Sequence, residues 1–223
     1  MSFTSEHPNP SAGAIWCVVV AGGSGVRFGQ PKQYLNLGGQ RVIDRSLATA
    51  REACDGVVLV APVGDVSVES ERQGSEISVV AGGTTRSESV RCGLAAVPSD
   101  ASVILIHDAA RPLATVDLYR RVIEAVTHGA SAVIPVVAVV DTLRSTDGTP
   151  IDRENVRGVQ TPQGFDAAII RAAHASGSEA TDDASLVEVI GHAVTFVDGE
   201  RANLKITERV DLLIAEALIG AQQ

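Results

Sequence analysis

Positive charge is scarce in this 223-residue chain: 18 Lys and Arg stand against 27 Asp and Glu, for a formal charge of −9. A general nucleic-acid or anionic-membrane surface needs a basic face to release counterions, so the charge argues against partners of those classes. Cysteine is scarce as well. Cys17, Cys54 and Cys92 are odd in number, far apart and outside any C-x-x-C or Cys/His spacing, which argues against a disulfide framework and a zinc site. Aromatics make up 3% of the residues, so the core must be built from Val, Ile, Leu and Ala, the residues of buried parallel strands. Long hydrophobic runs are missing too. The apolar stretch near the N-terminus, Ile15 to Ala21, is too short to span a bilayer, and no basic signal-peptide region precedes it. The expectation is a cytoplasmic protein without membrane contact.

What is present is alternation. Residues 1–12, rich in Ser, Pro and Asn, read as a disordered leader, and 13–223 as one domain able to bury roughly 70% of its unfolded surface. Strands are expected at Ile15–Val20, Val57–Ala61, Ile77–Val80, Val103–Ile106 and Ala132–Val137. Helices are expected around 42–53, 86–96, 115–127, 166–175, 183–190 and 208–219. This spacing implies βαβ units, hence an α/β fold with a mostly parallel twisted sheet flanked by helices. One segment departs from it. Val136–Arg144 and Ile151–Val159, joined at Asp147-Gly148, read as antiparallel strands of a protruding β-arm at about 138–159. An arm with little core of its own needs a partner surface, most simply a second copy of the chain.

Three constellations carry chemistry. Ala21-Gly22-Gly23-Ser24-Gly25-Val26-Arg27-Phe28-Gly29 follows the first strand and leads into Pro31-Lys32-Gln33-Tyr34. Glycines there let backbone N–H groups close around phosphate oxygens, while Arg27 and Lys32 supply a fork and a point charge for a polyphosphate. Neither the Rossmann nor the Walker A spacing fits. Gly82-Gly83-Thr84-Thr85-Arg86-Ser87-Glu88-Ser89 opens a helix with hydroxyl caps available. His107-Asp108 ends the strand Val103–Ile106, where open α/β sheets place ligand-binding groups; a carboxylate there can accept sugar hydroxyls or coordinate Mg²⁺. His107 reads as structural, holding the loop by hydrogen bonding. Each constellation also has a plainer reading as a tight turn, a capped helix start or an internal ion pair, the last for Arg111 with Asp108.

The run Ala21 to Lys32 is similar to the signature of sugar-phosphate nucleotidyltransferases, and Pro31-Lys32-Gln33-Tyr34 narrows the resemblance to the cytidylyltransferase branch that acts on 2-C-methyl-D-erythritol 4-phosphate. The same family's blocks continue in order through Gly82-Gly83, Arg86 and Ser89, His107-Asp108-Ala109-Ala110-Arg111-Pro112, Asp141-Thr142, Gln160-Thr161-Pro162-Gln163 with Phe165, Thr181-Asp182-Asp183-Ala184-Ser185, and Lys205.

The resemblance implies CTP bound by Ala21, Gly22, Gly23, Ser24, Gly25, Gly82, Gly83, Arg86, Ser89 and Asp108. It implies a sugar-alcohol phosphate acceptor met by Asp108, Arg111, Thr142, Arg153, Thr161, Thr181 and Lys205, with Thr142 and Arg153 reaching across a homodimer interface from opposite strands of the arm. Arg27, Lys32, Arg153 and Lys205 are the implied catalytic groups, and Mg²⁺ the implied cofactor, held mainly by the CTP phosphates. Two departures stand out. Thr84 replaces a commonly acidic residue near the base. Arg201-Ala202-Asn203 lacks the acid that often precedes the lysine, so a metal contact from that expected strand is not implied. The rival readings are a sister enzyme acting on ribitol 5-phosphate and a non-catalytic nucleotide-binding protein.

Overall fold

The computed structural model describes residues 13–22 and 31–221. The leader, the glycine loop from Gly23 onward and Arg27 lie outside them. The expected α/β architecture is present. In chain order the strands are β1 (Ile15–Val20), β2 (Asn36–Leu37), β3 (Gln40–Arg41), β4 (Gly56–Ala61), β5 (Ser78–Ala81), β6 (Val103–Asp108), β7 (Ala132–Ala138), β8 (Leu143–Arg144), β9 (Pro150–Ile151), β10 (Arg157–Val159), β11 (Gln163–Asp166) and β12 (Val194–Asp198). The helices are α1 (Val42–Ala53), α2 (Val66–Gln73), α3 (Arg86–Ala96), α4 (Val116–Thr127), α5 (Ala167–Ala175), α6 (Asp183–Val189) and α7 (Arg209–Gly220).

The main sheet runs β10-β7-β11-β6-β1-β4-β5, with β12 also on β7. β6, β1, β4 and β5 are parallel neighbours, and β12 is parallel to β7. β11 is antiparallel to both β6 and β7.

Period-2 alternation sorts the strands between two layers. Cys17, Val19, Leu59 and Leu105 pack under α1 and α4 with Leu47, Leu118 and Val122. Their neighbours Val18, Val58, Val60, Ile104 and Ile106 face α3, α5 and α6 with Val90, Leu94, Ile170 and Leu186. Gly93 of α3 allows that helix to lie close, since a Cβ there would meet Val18 and Val60 side chains. A smaller cluster of Leu37, Val42, Ile206, Ala215 and Ile219 fastens α7 to the β2–β3 hairpin.

Several expectations need correction. The arm has two short ladders rather than two continuous strands: β10 pairs with the end of β7 at its base, and β8 pairs with β9 at its tip. The turn between β8 and β9 is reversed at Gly148, φ +88°. Thr142 precedes β8, and Arg153 lies in a 3₁₀ turn, Arg153–Asn155, so neither sits on a strand. Lys205 lies in a segment without regular structure, not on a strand. β2, β3, β11, β12 and α2 were not expected. β11 carries Gly164 and follows Pro162, strand-weakening residues by propensity; its position between β6 and β7 overrides that bias.

Candidate functional site

Alternation along β6 decides the roles of its last two residues. His107 continues the face of Leu105 and turns inward, its ring 5.5 Å from that of Tyr119. Asp108 continues the face of Ile106 and turns towards α3 and α6. The two neighbours therefore do different work.

Asp108 is the junction of the site. Its Oδ1 lies 3.3 Å from Arg86 Nε, and its Oδ2 receives Lys205 Nζ at 2.6 Å. Burial opposes ionisation of this carboxyl, but the charges of Arg86 and Lys205 outweigh it and hold its pKa well below the usual carboxylate range. The carboxylate is thus charged at neutral pH. Arg86 is delivered by the first turn of α3, whose N-cap Thr85 accepts from Glu88 N at 3.0 Å. Glu88 returns to Thr84, accepting from both its N–H and its hydroxyl at 2.7 Å. Thr84 is therefore engaged in the loop rather than ungrouped.

His107 anchors the loop, as expected. Burial lowers its pKa to about 4, so the ring is neutral at pH 7. The neighbouring atoms then fix one tautomer. Nε2–H donates to Arg111 O at 3.2 Å, Nδ1 accepts from Thr161 Oγ1 at 3.1 Å, and Thr161 Oγ1 accepts from Asp108 N at 3.0 Å.

Arg111 is not ion-paired with Asp108. Its guanidinium donates to Asn203 O at 2.8 Å and to Val159 O at 3.2 Å. Asn203 is wholly buried and donates to Thr161 O at 2.9 Å. Asn203, two places before Lys205 where the family often has an acid, is thus a pin between segments.

These groups line a cavity of about 300 Å³, shared by Arg86, Asp108, Arg111, Thr161, Gln163, Thr181, Asp182 and Lys205. Three cations face two carboxylates, a setting for an anionic ligand inside an acidic protein. Close by, the carboxyl ends of β1 and β5 bring Gly22 and Gly82 to Ser89: a Cβ would come within 3.3 Å of its Oγ at Gly22 and 2.9 Å at Gly82. Ser89 is buried and donates to Thr85 O at 2.8 Å while accepting from Gly83 N at 3.1 Å. Ala21 N–H continues the β1–β4 ladder to Val60 O at 2.9 Å.

The sequence model of the 2-C-methyl-D-erythritol 4-phosphate cytidylyltransferases matches residues 15–221. The chain belongs to that family. It is a CTP-dependent cytidylyltransferase of isoprenoid precursor synthesis. Among similar proteins, the 2-C-methyl-D-erythritol 4-phosphate cytidylyltransferase of Rhodococcus jostii is 44% identical over 220 residues, covering 93% of this chain and 96% of the relative. That of Streptomyces coelicolor is 40% identical, covering 92% and 85%. The crystal structure of the Thermus thermophilus protein of that name superposes with a TM-score of 0.79 at 37% identity, covering 90% of this chain and 97% of that one. The 4-diphosphocytidyl-2C-methyl-D-erythritol synthase of Anaerococcus prevotii gives 0.81 at 30% identity, covering 93% and 96%.

In this enzyme the described residues expected at the site, apart from Ala21, the glycines and Ser89, fall into three places. Arg86, Asp108, Arg111, Thr161, Thr181 and Lys205 share the cavity. Lys32 opens a half-buried 3₁₀ turn, Lys32–Tyr34. It stands near α7: Asp211, partly buried and hydrogen-bonded to Thr207 and Glu208, also feels the Lys32 charge. Thr142 and Arg153 lie exposed on the arm, outside the cavity lining. Arg153 Nη1 donates to Val140 O at 2.7 Å.

Gln163, Asp182 and Asp183 were present in the motif blocks without an assigned role. Gln163 donates to Asp182 Oδ2 at 3.3 Å in the cavity wall. Its position on β11 was the missing signal, because that strand was not foreseen.

Proposed function

We propose that the enzyme moves the cytidylyl group of CTP onto the phosphate of 2-C-methyl-D-erythritol 4-phosphate at the cavity beneath Asp108. An acceptor phosphate oxygen attacks the α-phosphorus in line. The bond from that phosphorus to the bridging oxygen breaks, and pyrophosphate leaves with the electron pair. The acceptor phosphate is already ionised at neutral pH, so no strong general base is required. The rate must come from positioning and charge stabilisation.

The observation that carries this reading is the Lys205–Asp108–Arg86 row beside Arg111, a cationic wall with one ionised carboxylate at the carboxyl edge of β6. Lys205, Arg111, Thr161 and Thr181 face the acceptor. The glycine loop from Ala21 to Gly25, together with Gly82, Gly83, Arg86 and Ser89, surrounds the nucleotide. Arg27 and Lys32 neutralise charge growing on the phosphorus and the departing pyrophosphate.

Asp108, an ionised carboxylate in the cavity lining, is the oxygen donor that would reach Mg²⁺ carried mainly by the nucleotide phosphates. Bound there, the ion supplies charge neutralisation on the phosphate oxygens.

The arm completes the site from a second copy. Val140, Ile151 and Val159 expose apolar surface along it, which docking would cover. We read residues 13–223 as one catalytic domain working in the cytoplasm as a homodimer. No described helix is long and apolar enough to cross a membrane.

The test is pyrophosphate release with CTP, Mg²⁺ and either polyol phosphate. Turnover with methylerythritol phosphate should exceed that with ribitol 5-phosphate, and CTP should exceed UTP, because buried groups shaped for one base edge are left unpaired by another. Nucleotide binding without release would overturn the reading in favour of a binding protein.

A further inference from the structure

The two adjacent acids at the start of α6 do different things. Asp182 is the N-cap, accepting from Ser185 N at 3.1 Å. A first-turn acid such as Asp183 gains from the helix dipole while facing water. Asp183 instead is turned inward, with a side chain 1% exposed. A buried carboxylate is costly unless paired. Its partners are Arg86 Nη2 at 2.8 Å and His174 Nε2 at 3.1 Å.

Arg86 reaches on to Asp108, and Asp108 to Lys205. A row of alternating groups therefore runs Lys205–Asp108–Arg86–Asp183–His174, from the cavity wall into the core. His174 Nδ1 makes no hydrogen bond, so the ring's polar contact within the row is with Asp183 alone. It orients that carboxylate rather than bridging elsewhere.

We propose that Asp183 is a positioning residue for cytidylyl transfer: it holds Arg86 from behind, and through Arg86 sets the Asp108 carboxylate between Arg86 and Lys205. Without the Asp183 charge, Arg86 has Asp108 as its remaining anion. The guanidinium then turns onto Asp108 and draws it from Lys205 and from the bound substrates. The contrasting role is purely structural, an internal ion pair tying α6 to α3.

The inference rests on the transfer site proposed above, and wild-type turnover is measured first to separate the two. Absence of turnover in the wild type would sink that site, not this role. The variants are Asp183→Asn, Asp183→Glu, Arg86→Gln and the double Arg86→Gln/Asp183→Asn, each followed by thermal melting, steady-state kinetics and calorimetric CTP binding. Asp183→Asn is expected to melt cooperatively and to lose at least about tenfold in kcat, the scale of a displaced electrostatic contact. Asp183→Glu should recover part of that loss.

In the Arg86→Gln background, Asp183→Asn should change kcat/KM and CTP affinity by less than about twofold, because its effect passes through Arg86. Unchanged kcat in Asp183→Asn, or losses that multiply in the double variant, would overturn the proposal. If the single Asp183→Asn protein fails to fold, the Arg86→Gln and double proteins decide: equal activities support the role, and a further loss removes it.

Discussion

The hydroxyl of Thr161 accepts the backbone N–H of Asp108 at 3.0 Å, though the two residues are 53 positions apart. The same oxygen donates to His107. One side chain from the segment before β11 thus fixes the end of β6, where the cavity begins.

Thr161→Val keeps shape and removes both bonds, leaving the Asp108 N–H and His107 Nδ1 unpaired in the interior. The expected cost is about 1–3 kcal/mol of stability, the penalty for an orphaned buried group, with a fall in turnover. Urea denaturation and the pyrophosphate assay check it together. A midpoint equal to wild type would show that the pairing is replaceable.

His107 should give the protein a stability slope in mild acid. Its folded pKa of about 4 lies below an unfolded value of roughly 6.5, so the unfolded chain takes up the proton first. The stability it contributes is complete above about pH 6.5 and is lost as pH falls towards about 4, at up to about 1.4 kcal/mol per pH unit. Unfolding free energies measured across this window for wild type and His107→Gln should differ in slope by up to one proton. Identical slopes would count against a neutral buried ring.

Lys32→Ala and Arg27→Ala should each keep the fold and lower turnover by at least about a hundredfold, the scale for losing one preorganised transition-state charge contact. Lys32 opens a 3₁₀ turn outside the main sheet, and Arg27 lies outside the described residues. Near-normal kcat in either purified variant would remove that residue from the chemistry.

Arg153 should act in the site of the partner subunit, since it lies on the exposed arm and outside its own chain's cavity lining. Lys32→Ala and Arg153→Ala homodimers should both be inactive. After random exchange of equal amounts, about a quarter of all sites should combine an intact Lys32 with an intact Arg153, by counting for a two-fold dimer. Absence of recovery, with mixed dimers verified independently, would place Arg153 in its own subunit's site or in none.

The sequence by itself determined the α/β class, the edges of β1 and α1 and most of the helix spans, because hydrophobic period and cap chemistry are local. The family's motif blocks, read from the sequence, picked out Arg86, Asp108, Arg111, Thr161, Thr181 and Lys205, and the fold gathers all six around one cavity. Only the tertiary structure decided their partners. Whether Arg111 met Asp108 or the carbonyls of Asn203 and Val159 depended on segments 92 and 48 residues away. β11 escaped notice because insertion between β6 and β7, not local propensity, makes it a strand. Asp182 and Asp183 are the same residue type side by side; one caps α6 and the other is buried against Arg86, because the first turn of a helix points consecutive side chains in different directions, and only packing says which direction is the core.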